Sequence, residues 1–266
     1  MKKTLIWLLA FVITAASAVF QRRTGPTYPV RGEVTVAGSP LKFTLPRSAE
    51  TNGDCEVAVG ATNPDVTGRL LYKRFKSEDA WAEAPMTRRD DRLAGFLPRQ
   101  PIAGKLAYRV ILSHLGQDLS LTGNAPIVMR FKGHVPLGVL LTHVLVVFAA
   151  MLLSTRAGLA ALDPRADPRV FRLWTVGLLF AGGFLLGPLV QKLAFGSWWT
   201  GVPFGWDLTD NKTLIALAIW VLALIAGRGG RRARAWTVAA AVLMLIVFMI
   251  PHSLLGSELR YPAAGR

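Results

Sequence analysis

Hydrophobic positions follow two different patterns along this chain of 266 residues. From Gly25 to Lys132 they alternate with polar positions. Examples are Val34 and Val36; Leu41, Phe43 and Leu45 around Lys42 and Thr44; and Val57 and Val59. The pattern resumes at Leu106, Tyr108, Val110 and Leu112, and again at Ile127, Met129 and Phe131 around Arg130 and Lys132. Alternation puts every second side chain on one face of a strand, so it predicts short strands with one buried face. Gly38-Ser39-Pro40, Asn63-Pro64-Asp65, Pro98 and Gly116 punctuate the stretch, giving about seven or eight strands folded as an antiparallel sandwich.

After Gly133 the alternation stops and long apolar runs begin: Val135 to Leu153, Leu173 to Phe195, Thr213 to Ala226 and Trp236 to Leu255. Each approaches the ~20 residues that cross about 30 Å of hydrocarbon, the third only if its ends extend into flanking polar residues. At the N-terminus, Met1-Lys2-Lys3 precedes an apolar run from Leu5 to Phe20, with Ala16-Ser17-Ala18 suited to signal peptidase. Residues 1–24 are thus either a removed signal peptide or a retained anchor, and both send the adjoining β segment outward. The predicted fold class is a membrane α-helical bundle with an extracytoplasmic all-β sandwich domain. The bundle has four later transmembrane helices plus the N-terminal signal or anchor helix. The sandwich covers 25–133 and the transmembrane domain 134–266.

Charge sets the orientation. Arg156, Arg165, Arg169 and Arg172 lie at or between the first two later runs, and Arg228, Arg231, Arg232 and Arg234 between the last two. The segment 196–212 carries only Lys212 against Asp207 and Asp210. The positive-inside rule then puts the arginine loops in the cytoplasm. The β domain, the 196–212 loop and the C-terminus face the outer, periplasmic side of an inner (plasma) membrane.

Composition narrows the function. With 52% hydrophobic and 18% charged residues, the chain mixes membrane and water-exposed parts. The net charge of +15 is spread over the β segment and short loops. It forms no compact basic helix with interleaved aromatics, so nucleic acid is not a predicted partner. The single cysteine, Cys55, excludes an intrachain disulfide, a Cys-x-x-Cys-His haem attachment and a cysteine zinc site. No phosphate-binding glycine loop, zinc-protease helix or nucleophile elbow is present. Ser253 and Glu258 lie near His252, but on neighbouring turns of one helix the three cannot converge as a triad. A non-enzymatic role is expected, and the lack of an inverted repeat argues against a transporter.

The strongest candidate site is the stretch Phe195 to Lys212, in which Trp198, Trp199 and Trp206 fall close together with two carboxylates. Tryptophan favours membrane interfaces in any case, yet a plain aromatic belt does not require the ordered Gly and Pro turns found here. Asp210 or Asn211 suits the N-cap of a helix from Thr213, and Lys212 can pair with Asp207 or Asp210. A rigid aromatic shelf at the membrane surface can stack a flat apolar ligand, with Lys and Asp at its rim contacting ligand carboxylates or a partner.

These residues carry two resemblances. Leu93-Ala94-Gly95-Phe96-Leu97-Pro98 through Gly104-Lys105-Leu106-Ala107-Tyr108-Arg109-Val110 resembles the later strands of fibronectin type III-like and immunoglobulin-like domains, which implies fold class alone. Residues 194–220 resemble the tryptophan-rich "WWD" loop of the membrane haem-handling proteins of cytochrome c maturation. Phe195-Gly196-Ser197-Trp198-Trp199 stands for its first half and Trp206-Asp207 for its second, and the helix bearing Trp220 for the one after it. This sequence departs from that pattern at Phe195, at the inserted Thr200 to Gly205, and at Leu208 to Lys212.

The resemblance implies haem as cofactor, with Trp198, Trp199, Trp206 and Asp207 forming a cradle. It also implies a histidine pair, for which His143 and His252 are the equivalents by role. Both are expected in the outer half of the membrane, His143 roughly 12 Å deep and His252 just after Pro251. Intramembrane histidines are costly and often functional, and imidazole is a usual axial ligand of haem iron; the structural alternative is a hydrogen bond to a neighbouring helix or to Ser253. His134 is expected at the membrane entry and His114 in a solvated β turn. Gln191 and Lys192 are expected to snorkel to the interface or to line the same cavity. The competing reading is an assembly or receptor subunit whose β domain and aromatic loop bind a protein partner.

Overall fold

The computed structural model describes residues 3–226, 230–251, 259 and 261. The chain divides into two units, Met1–Pro26 with Val135–Ser257, and Thr27–His134 with Glu258–Arg266.

The second unit holds eleven strands: β1 (Val30–Val36), β2 (Ser39–Leu45), β3 (Ser48–Glu50), β4 (Cys55–Gly60), β5 (Thr67–Arg74), β6 (Ala82–Pro85), β7 (Thr87–Arg89), β8 (Arg92–Leu97), β9 (Lys105–His114), β10 (Gln117–Ser120) and β11 (Ile127–Lys132). They form a β1-β2 hairpin, a six-stranded sheet of order β3-β11-β9-β5-β6 with β10 beside β9, and a β4-β8-β7 sheet. The hairpin turns on Ala37 and Gly38, both at positive φ, the sense that matches the twist of the flanking strands.

The alternation marks the core. Phe43, Leu45, Val57, Val59, Leu106, Tyr108, Val110, Leu112, Ile127, Met129 and Phe131 are all buried, in one cluster drawn from all three sheets. Tyr108 completes its polarity by donating to the Pro46 carbonyl at 2.6 Å, and its burial pushes the phenol pKa well up. The segment 93–110 forms β8 and β9, which belong to different sheets.

Two expectations need correction. Among the described residues the strands number eleven rather than seven or eight, because β3, β6, β7 and β10 are short and bury few side chains; they are held by backbone pairing, which leaves no hydrophobic period to read. The pairing is also not wholly antiparallel. β3 runs parallel to β11, with Arg130 opposite Ser48.

The first unit is helical: α1 (Lys3–Thr24), α2 (Leu137–Ala161), α3 (Arg169–Phe180), a π-helical turn (Ala181–Leu186), α4 (Gly187–Phe195), α5 (Leu208–Ala226) and α6 (Gly230–Met249). From α3 through α4 the helix is continuous, so among the described residues five helices are long and apolar enough to cross a membrane. Their ends differ from the hydropathy limits. α2 runs on past Leu153 through Ser154, Thr155 and Arg156, all buried; a helix ends where backbone bonding ends, not where hydropathy drops. α6 starts at Gly230, ahead of Trp236, and ends at Met249, ahead of Pro251.

α1 packs as an ordinary member of this unit. Ile6, Ala10, Thr14 and Ser17 form its buried stripe, and the Gln21 amide donates to the Phe248 carbonyl near the end of α6. The bundle core centres on Trp220, fully buried, whose indole N–H meets the Met244 sulfur at 3.2 Å. Close approach at the π turn depends on glycine. A Cβ on Gly182 would lie 2.8 Å from Val147 Cγ2 of α2, and one on Gly183 would lie 2.5 Å from Thr213 Cγ2 of α5.

Candidate functional site

The loop between α4 and α5 is built around one carboxylate. Asp210, in the first turn of α5 and buried, accepts with Oδ2 from the Thr200 amide at 2.6 Å, the Gly201 amide at 3.0 Å, the Gln191 amide group at 3.1 Å and the Thr200 hydroxyl at 3.2 Å. Asn211 adds a bond from the Val202 amide at 2.7 Å. These two side chains therefore reach back to fold the loop and do not cap a helix from Thr213, as the sequence suggests. The cap is Asp207. α5 begins at Leu208, and Asp207 Oδ1 accepts from the Thr209 amide at 2.8 Å, the geometry of an N-cap side chain meeting the second helical amide.

The rest of the loop is built on that anchor. Gly196 ends α4 at a φ of 82°, its amide on the Lys192 carbonyl at 2.9 Å. Phe204 and Gly205 both donate to the Gly201 carbonyl at 2.9 Å, across a cis Val202–Pro203 bond. Gly201 has no room for a side chain, since a Cβ there would sit 2.6 Å from that of Asp210. The Gly and Pro residues are thus consumed in one tight fold.

The three loop tryptophans divide by role. Trp199 is half-buried, stacked on Phe184 of the π turn at 5.4 Å between centroids, with its indole N–H on the Val202 carbonyl at 3.1 Å. Phe184 stacks in turn on Phe180 at 6.1 Å, so a ladder of three rings ties the loop to the helix below. Trp198 and Trp206 remain 56% and 85% exposed, beside Phe204 at 82%. Those rings lie mostly open on the surface of the unit. Asp207, by contrast, is buried and already serves as the cap.

His143 faces the same π turn from α2. It lies six residues into the helix, roughly 9 Å along its axis, and its Nδ1 is 3.0 Å from the Gly182 carbonyl oxygen. A carbonyl only accepts, so Nδ1 is the donor, and in the neutral form of the ring the lone pair lies at Nε2. Hydrogen bonding of this kind orients metal-ligating histidines. Its counterpart His252 lies outside the described residues, as do Ser253 and Glu258. Among the described residues no group of three or more His, Cys, Asp or Glu side chains is placed to hold a bare metal ion.

The remaining candidates separate. His134 is exposed and pairs with Glu50 at 3.1 Å within the β unit, and His114 ends β9, opposite Gln117. Lys192 turns to the Gly196 carbonyl at 2.8 Å and is exposed, whereas Gln191 is part of the Asp210 anchor. Lys212, almost fully buried, donates to the Ile250 carbonyl at 2.7 Å, its ammonium 5.9 Å from the Phe248 ring centroid.

Sequence reading misses two groups. Tyr261, in the C-terminal tail, accepts from the Lys105 amide at 3.0 Å and lies under Arg74 at 5.0 Å; a lone aromatic in a polar tail gives no periodic signal. Arg234 donates to the carbonyls of Asp163, Pro164 and Ala166, a cap on the α2–α3 connection that an arginine cluster does not disclose.

Compared with protein-family models, curated proteins and solved structures, the chain matches none.

Proposed function

We propose that this chain is a multi-pass envelope membrane protein that binds or handles haem at an outer-leaflet site, in cytochrome or respiratory-complex biogenesis. The observation that carries the reading is the shared π turn. His143, whose Nδ1 and not Nε2 makes the Gly182 bond, and Trp199, the foot of the aromatic loop, both rest on the segment Ala181–Leu186. π turns are frequent at functional sites. The residues fit the group in part: His143 offers a nitrogen, and Trp198 and Trp206 offer open faces. Trp199 and Asp207 support the loop instead of touching the ligand. Haem, when bound, would supply redox or carrier chemistry; the chain's own part is to ligate, stack and keep the site dry.

The topology that accompanies this reading puts the arginine-bearing connections in the cytoplasm. The β unit and the 196–207 loop then lie outside, with α1 retained as an anchor, in agreement with its buried stripe and its bond to α6. The C-terminal tail agrees in sidedness, because Tyr261 and Leu259 bond to Lys105 and Ala103 of the β unit.

The test is an absorption spectrum of the full chain purified from cells with ample haem supply. A Soret band and a positive pyridine-haemochrome assay are expected, both lost in His143→Ala and weakened in His252→Ala. A protein that folds, lacks the band and gives a blank haemochrome assay overturns the reading.

One observation favours a second function, that of an assembly or receptor subunit. The exposed Phe204 and Trp206 crown a rigid loop, and aromatic anchors of that kind are usual at protein interfaces. Crosslinking with mass spectrometry would then find a stoichiometric partner attached to the loop and no chromophore.

A further inference from the structure

Arg156 is 6% exposed, on α2, and among the described residues its charge meets no acidic side chain. Its guanidinium lies 4.6 Å from the Phe171 ring centroid and 5.4 Å from that of Trp7. The two rings meet edge to face at 5.7 Å and hold the planar group between α1 and α3. Nε and Nη1 are buried without a hydrogen-bond partner. A second buried guanidinium, Arg172, comes directly after Phe171 and reaches the Ala223 carbonyl of α5 at 3.3 Å.

No counter-charge comes from the helices that enclose it. α1, α2 and the continuous helix from α3 to α4 contain no Asp or Glu at all. In the α2–α3 connection, Asp163 and Asp167 each accept from the amide two residues on, at 2.9 Å. Aromatic faces compensate a buried cation only partly, and unmade charged donors in an apolar setting are costly.

We propose that Arg156 is the receptor for a phosphate group, supplied by the headgroup of an anionic phospholipid or by free phosphate, at the end of the unit where α1 begins and α2 ends. The planar fork of a guanidinium matches phosphate oxygens. Arg156 stands five residues before the end of α2, roughly 8 Å along the axis, and basic pockets between membrane helices on the cytoplasmic side bind anionic lipid headgroups. Trp7 sits where an interfacial indole belongs. This inference rests on the membrane reading and makes no use of haem.

The experiment uses the full chain in detergent. The chain is titrated with phosphatidylglycerol or phosphatidylcholine and read by native mass spectrometry, and a parallel thermal-shift series uses inorganic phosphate. The lipid source predicts retention of phosphatidylglycerol over phosphatidylcholine, falling about tenfold in Arg156→Gln. Arg232→Gln, which removes the same charge from an exposed position, should change retention less than about twofold. The free-phosphate source predicts a stabilisation by inorganic phosphate that Arg156→Gln abolishes. Arg156→Lys keeps the charge but not the fork, and lies between the two; it carries the comparison if the Gln variant does not fold. Retention and phosphate response unchanged in the Arg156 variants, or equal losses at Arg156 and Arg232, overturn the proposal.

Discussion

Asp210→Asn is the most direct perturbation of the aromatic loop. The carboxylate oxygen Oδ2 accepts the backbone amides of Thr200 and Gly201 at 2.6 and 3.0 Å, besides Gln191 and the Thr200 hydroxyl. Bonds to a charged acceptor contribute about 1.5–3 kcal/mol each, against about 0.5–1.5 for neutral pairs. An Asn that keeps its oxygen in place thus loses about 1 kcal/mol per backbone amide. For the two amides together the loss is roughly 2 kcal/mol, or about thirtyfold in the equilibrium between folded and opened loop. Hydrogen exchange resolved to the Thr200–Val202 amides reads that factor, and the π turn Ala181–Leu186 should be nearly unaffected. Asp210→Ala removes the acceptor altogether and should speed exchange further. If both variants exchange at the wild-type rate, the loop is held by its turns and rings, and the anchoring role given to Asp210 is wrong.

Other consequences test the two units separately. Burial raises the Cys55 thiol pKa, with the neighbouring Glu56 charge adding to it; the reactive thiolate is therefore scarcer than in a free cysteine at any pH below the raised value. Alkylation of the native protein should reach its half-maximal rate at a higher pH than that of a free cysteine measured alongside, and a half-maximal rate at or below the free cysteine's contradicts this. Gly183→Ala should destabilise the helical unit by about 1–3 kcal/mol through overpacking against Thr213. Thermal unfolding in detergent measures the loss, and adding Thr213→Ser, which removes the clashing Cγ2, should restore most of it. An unrescued double variant would locate the strain elsewhere.

The sequence by itself determines the division of labour in this chain, because both signals are local. A period of two requires nothing beyond neighbours on one strand, and the alternating residues Phe43, Leu45, Val57, Val59, Leu106, Tyr108, Val110, Leu112, Ile127, Met129 and Phe131 all lie in the β core. Runs of apolar residues likewise announce helices long enough to span a bilayer, and five such helices are present among the described residues. The loop at 196–207 stands out by its rings and turn residues alone.

Which atoms do what there was decided only by tertiary structure. The sequence offers Asp210 or Asn211 as the cap; α5 instead begins at Leu208, and that register turns Asp207 toward the Thr209 amide and Asp210 toward Thr200 and Gly201. Trp198, Trp199 and Trp206 are likewise the same residue in sequence, but only Trp199 meets Phe184, a contact made across the turn at Gly196. The π turn has no hydropathic signature, yet it sets which carbonyl His143 reaches. Arg156 reads as an orientation charge until α1 and α3 bring Trp7 and Phe171 to its two faces. Periodicity fixes which side of an element is buried. The partners a polar side chain finds depend on the angle and register at which separate elements meet, and those are set by packing among residues far apart in the chain.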